Sequence, residues 1–164
     1  MSTREISAAL DSRPDEVWDR LIDPDVSAAR AALEGSGGRV TRHEVDGDDL
    51  VVGIDTDVPE TWIPPMVRGR LGKGSAPGLP VVRRGERWRR TDDAVDGDMT
   101  ITIDGVPAQS AASMSIETTD RGTEGFYEVS LVVQLPIVGR AIEQSVLTKI
   151  AGVLKQEIAL LDGR

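Results

Sequence analysis

The chain has no cysteine and only one histidine, His43, in 164 residues. The first absence excludes disulfides, thiolate metal sites and cysteine nucleophiles together. The second leaves zinc without its usual ligand set. A Ser/His/Asp triad would have to be built on His43, which has no identifiable partner carboxylate in the sequence around it. Aromatic residues make up 3% of the chain, so its core and the wall of any cavity must be largely aliphatic. Basic residues are also short, 19 Lys and Arg against 28 Asp and Glu, for a formal charge of −9. That balance argues against nucleic acid as a partner, because phosphates reward clustered cations, and against docking on anionic lipid. No apolar run approaches the roughly 20 residues that a helix needs to span a bilayer, so no integral membrane segment is expected. Met1 to Ser7 shows no basic-then-apolar signal pattern, and the expected location is cytoplasmic.

What is present is strong periodicity. Thr3 to Leu10 alternates as a half-buried strand. In Ser12-Arg13-Pro14-Asp15-Glu16-Val17-Trp18, Ser12 is placed to cap a helix, Asp15 completes a capping-box-like spacing and Pro14 suits the first turn. Asp23-Pro24-Asp25 opens a second helix, Val26 to Glu34, which Gly35 closes. Strands follow at Arg39 to Val45 and Leu50 to Val58, joined by the turn Asp46-Gly47-Asp48-Asp49. Further strands read over Val81 to Thr91, Asp98 to Val106, Gln109 to Thr119 and Gly125 to Leu135. Their separators are Asp96-Gly97, Gly105-Val106-Pro107 and Asp120-Arg121-Gly122, an antiparallel meander. Trp62 to Leu71 suits a short amphipathic helix and Gly72 to Pro80 a flexible loop. Ile137 to Leu161 is the longest helical pattern, nearly 38 Å if continuous. Its apolar arc holds Val138, Ile142, Val146, Leu147, Ile150, Val153, Leu154, Ile158 and Leu161.

No catalytic set, metal site or cofactor motif emerges. Asp46, Asp48 and Asp49 resemble the start of a calcium loop but lack its terminal Glu, and read as a solvated turn. The glycines of the 72–80 loop lack the strand–loop–helix context of a phosphate cradle. His43, isolated from any acid, reads as dispensable. The informative residues are polar ones in apolar settings. Glu157 falls between Val146 and Ile150 on the final helix, and Glu143 lies in the same arc. Arg84, Glu86, Trp88 and Arg90 share one face of their strand by the period of two. If Trp88 points inward, two arginines and a carboxylate face the helix and must pair internally or hold a polar ligand group. Otherwise they sit in water at the sheet rim. The spacing predicts that Glu157 pairs with Arg84 or Arg90. Alternation further places Met99, Ile101, Met114 and Tyr127 on the inner face, beneath Ile150 near mid-helix.

Strand, two helices, six strands and a long terminal helix is an order that resembles the START-like (SRPBCC, helix-grip) superfamily. Lipid-transfer domains, polyketide cyclases and the birch-pollen allergen family share this fold. The opening Ser12 to Trp18 and the closing Leu135-Pro136-Ile137-Val138-Gly139-Arg140 are the clearest local likenesses. Within the superfamily the chain looks most like a small bacterial branch with no assigned function. The resemblance implies a single α+β domain over residues 1–164, a curved sheet of about seven antiparallel strands crossed by the C-terminal helix. It also implies a cavity for an apolar or amphipathic small molecule, lipid- or polyketide-like. Candidate lining residues are Trp62, Met66, Arg84, Glu86, Trp88, Arg90, Met99, Ile101, Met114, Tyr127, Ile150 and Glu157, with Trp62 to Leu71 and the 72–80 loop at the mouth. The alternatives are a cyclase- or aromatase-type enzyme that uses cavity polar residues, and an interaction module with a filled core. The sequence says nothing of oligomeric state.

Overall fold

The computed structural model describes residues 1–33, 37–57 and 81–164. In chain order these form β1 (Ser2–Leu10), α1 (Pro14–Leu21), α2 (Pro24–Ala32), β2 (Arg39–Asp46), β3 (Asp49–Asp57) and β4 (Val81–Arg90). They continue with β5 (Ala94–Ile103), β6 (Ala108–Thr119), β7 (Gly122–Val133) and α3 (Gly139–Leu161). The strands make one antiparallel sheet in the order β1-β7-β6-β5-β4-β3-β2, a meander from β2 to β7 with β1 added beyond β7. The architecture is the expected α+β one, a curved seven-stranded sheet with a long C-terminal helix. The helix expected at 62–71, the 72–80 loop, Val58, Glu34 and Gly35 lie outside the described residues.

The three helices among the described residues pack on one face of the sheet. The helix α3 lies against β1 and β7, α1 against β5 and β6, and α2 against β2 and β3. The period of two delivers the facing side chains: Leu50, Val52 and Ile54 from β3, Met114 and Ile116 from β6, and Tyr127, Val129 and Leu131 from β7 are all buried. From the helices come Val17, Trp18 and Leu21 on α1, and Ile142, Leu147, Leu154, Ile158 and Leu161 on α3.

Three local expectations are corrected. Asp96-Gly97 does not separate strands. It lies inside β5, which begins at Ala94, and the chain turns at 91–93, where Thr91 N–H donates to Ala94 O at 2.9 Å. Gly97 pairs with Trp88, and a Cβ there would stand 2.6 Å from the indole Cε3, so the glycine makes room for the ring. Ser12 does not cap α1. Arg13 is the N-cap, and its N–H donates to Glu16 Oε1 at 3.1 Å. Ser12 instead ties the two ends of the domain together: its N–H donates to Asp162 Oδ1 at 2.8 Å and its hydroxyl to Asp162 O at 3.0 Å. The final helix starts at Gly139 rather than Ile137, because Ile137 has φ of 73° and turns the chain away from helical geometry. Gly139 cannot be replaced cheaply, since a Cβ would lie 2.5 Å from Val133 O.

A buried four-charge cluster as candidate functional site

The β4 segment Arg83 to Arg90 puts alternate residues on opposite faces. Its outward arginines find surface acids: Arg83 meets Asp55 and Asp104, and Arg89 meets Asp49 at 2.8 Å. The inward set is Arg84, Glu86 and Trp88, which are 5%, 1% and 2% exposed. These charges do not sit at the rim in water; they lie under the helices. Arg90, expected to join them, does not. It is exposed, donates to Asp48 through Nε and Nη2, and rests its guanidinium 5.6 Å from the Trp18 ring centroid.

Burying two charges on one strand demands partners, and they arrive from α2 and α3. Glu157, on α3 and 1% exposed, takes Arg84 in a two-armed pair, Nη1 to Oε1 and Nη2 to Oε2, each 2.7 Å. Arg84 Nε donates to Glu86 Oε1 at 2.7 Å. From α2 comes Arg30, 1% exposed, whose Nη2 donates to both Glu86 oxygens at 2.7 and 3.0 Å and lies 3.5 Å from Glu157 Oε2. Trp88 Nε1–H completes the shell of Glu86 at 2.8 Å. Arg30 Nε and Nη1 are buried with no acceptor among the described residues.

The sum is two cations and two anions in van der Waals contact, with no net charge. Burial alone would raise the pKa of Glu86. Arg30 and Arg84 beside it win, and bring it down to about 2. Tyr127, buried on β7, has its phenol pushed up by burial and stays protonated. An acid catalyst needs a carboxyl held above its ordinary range. Glu86 is held below it and its oxygens are already taken by three donors.

The remaining candidate positions divide in two. Met99, Met114 and Tyr127 are buried, with Met99 paired opposite Glu86 and Met114 opposite Tyr127. Ile101, opposite Arg84, and Ile150 on α3 are only half-buried. Trp62 and Met66 lie outside the described residues. Arg30 is a member of the site that the sequence pattern did not single out. It falls three and four residues after the buried Ser27 and the half-buried Val26 on one helical face, a position that the composition of α2 does not mark. His43 is not isolated either: its Nε2 meets Ile22 O at 2.9 Å and its Nδ1 meets Ser27 Oγ at 3.0 Å, binding β2 to both α1 and α2. In the neutral ring Nε2 carries the proton, since a carbonyl can only accept.

The opposite face of the sheet carries an open groove of about 1250 Å³, floored by Ser113 and Ser115 and edged by Phe126, Glu128, Asp98 and Arg87. Its charges are exposed, and Arg89 and Asp49 on its wall pair with each other at 2.8 Å. Among the described residues no three His, Asp or Glu side chains gather to hold a metal ion, and no helix is long and apolar enough to cross a membrane.

No curated protein matches the chain. Several solved structures share its fold. TTHA0849 from Thermus thermophilus is 11% identical with a TM-score of 0.60, over 99% of this chain and 95% of its own. The Mll3558 protein from Rhizobium loti is 17% identical, TM-score 0.55, over 97% and 96%. Ara h 8.0201 is 12% identical, TM-score 0.51, over 99% and 95%. Residues 5–163 match the family model described as "Protein of unknown function (DUF2505)", and the chain belongs to that family.

Proposed function

We propose that the protein is a START-like, helix-grip domain that binds an apolar or amphipathic small molecule between the sheet and α3. One observation carries the reading. Along α3, Glu143, Val146, Ile150, Val153 and Glu157 fall within an arc of about 80°. The two glutamates are buried, yet the three aliphatic residues between them remain half-buried. Glu157 on this stripe reaches Arg84 on β4, so the stripe points toward the β4–β5 half of the sheet, while the helix itself lies against β1 and β7. On that half of the sheet Ile101 and Ile103 are half-buried as well. Aliphatic side chains left incompletely covered on two facing elements are what an apolar ligand would cover.

A cyclase-type enzyme is less well supported, because among the described residues the carboxylate with a strongly displaced pKa, Glu86, is displaced in the direction that removes its proton. The test has two parts. Native mass spectrometry of protein purified from its own host should show a retained small molecule. Ile150→Ala should lower affinity for an apolar fluorescent probe while costing less than the roughly 2–5 kcal/mol of a close-packed core truncation. A full core penalty with no probe binding would mean a filled core, and this reading would fall.

A further inference from the structure

We infer that the site selects an uncharged molecule over an anionic one of the same shape. This rests on the binding proposal above and concerns the chemistry of its ligand. A fatty acid or other amphiphile with an ionised head would need a cation to meet it once it left water, because an unpaired charge in a low-dielectric interior is very costly. Along the stripe the cations among the described residues are already committed to other partners. Arg84 has already committed both terminal nitrogens to Glu157 and its Nε to Glu86. Arg30 has committed Nη2 to Glu86 and Glu157, and its remaining N–H groups are shut away from solvent. Lys149, beside the stripe, is also engaged.

The carboxylates work in the same direction. The four-charge cluster sums to zero, so it projects no net attraction for an anion. At the other end of the stripe Glu143 is buried, and its Oε1 is already met by the α-ammonium of Met1 at 3.3 Å and by the Ser2 hydroxyl at 3.4 Å, so that ammonium too is committed. The buried Tyr127 phenol is neutral and can offer an ordinary hydrogen bond. The chain as a whole is at −9. An uncharged molecule meets none of these penalties, and its hydroxyl or carbonyl oxygen requires only an ordinary hydrogen bond.

The experiment compares 1-dodecanol with dodecanoate on the intact wild-type chain at about pH 7.5, where the acid is ionised. Binding is followed by tryptophan fluorescence and calorimetry. Dodecanol should bind about tenfold or more tightly than dodecanoate. If dodecanoate binds as well or better, the inference is overturned while the binding site itself stands. If neither binds, the underlying proposal fails with it. Glu157→Gln leaves Arg84 and Arg30 facing Glu86 alone, and should shift the preference toward dodecanoate by about tenfold. The double substitution Arg84→Met with Glu157→Met keeps the cluster neutral and should retain the preference for the alcohol. Should the double variant shift as the single one does, charge balance is not the cause.

Discussion

Arg84 and Glu157 stand 73 positions apart in sequence and face each other through two 2.7 Å hydrogen bonds with almost no exposure to solvent. This pair fastens the C-terminal helix to the fourth strand. Glu157→Ala should therefore destabilise the protein by about 3–5 kcal/mol, chiefly by stranding Arg84 without its partner. Arg84→Met combined with Glu157→Met should cost much less than the sum of the single changes. A double-mutant cycle by urea denaturation should give a coupling energy above about 1 kcal/mol, the ceiling of an exposed pair. Additive costs would show that the two side chains do not depend on each other.

Glu86 predicts a particular acid response. Its folded pKa of about 2 lies below the ordinary 4.5, so between those values the unfolded chain binds more protons than the folded one and stability rises with pH. The contribution is fully present above about 4.5 and is lost as pH falls through about 2. Urea midpoints of the wild type should fall across that window. In Glu86→Gln the slope should be shallower, because the group that titrates there is gone. Equal slopes in the two proteins would remove Glu86 from the cause.

Ile137 is 97% exposed and holds φ of 73°, a conformation that costs a β-branched residue about 1–2 kcal/mol. With no packing to lose, Ile137→Gly should raise stability by roughly 1 kcal/mol, part of the relief being offset by the greater freedom of glycine in the unfolded chain. Thermal denaturation checks the sign.

His43→Ala should cost about 1–2 kcal/mol, because it removes two hydrogen bonds that bind β2 to the helices. Sequence alone suggests a dispensable residue. A variant indistinguishable from the wild type in denaturant would restore that view.

How much was legible in the sequence followed from how local each signal is. The strands and α3 announce themselves by period, and the same period of two places Arg84, Glu86 and Trp88 on one face. It does not say where that face ends, and Arg90, which shares the period, is exposed and pairs with Asp48 instead. Glu157 was legible because a carboxylate in an apolar arc needs a partner, and few cations were available. Arg30 was not, because an arginine in a short alanine-rich helix ordinarily points to water. Gly97 misled for a physical reason. Asp-Gly is a good turn, but here the glycine is required by a tryptophan on the next strand, and a close approach between strands leaves no trace in local sequence.

The register of the first strand also bears on how the chain is made. Ser2 pairs with Leu131 and Leu10 with Thr123, so β1 finds no neighbour in the sheet until β7 has been synthesised. At about 5–20 residues per second, that is a wait of the order of ten seconds after β1 has left the ribosome. Glu157 follows later still, so Arg30, Glu86 and Arg84 exist for a time with their charges unbalanced. The nascent chain must pass through a stage with an open sheet and an excess positive charge in its future core. A ribosome that stalls before residue 122 leaves the molecule at that stage, with Ile6 and Leu10 uncovered.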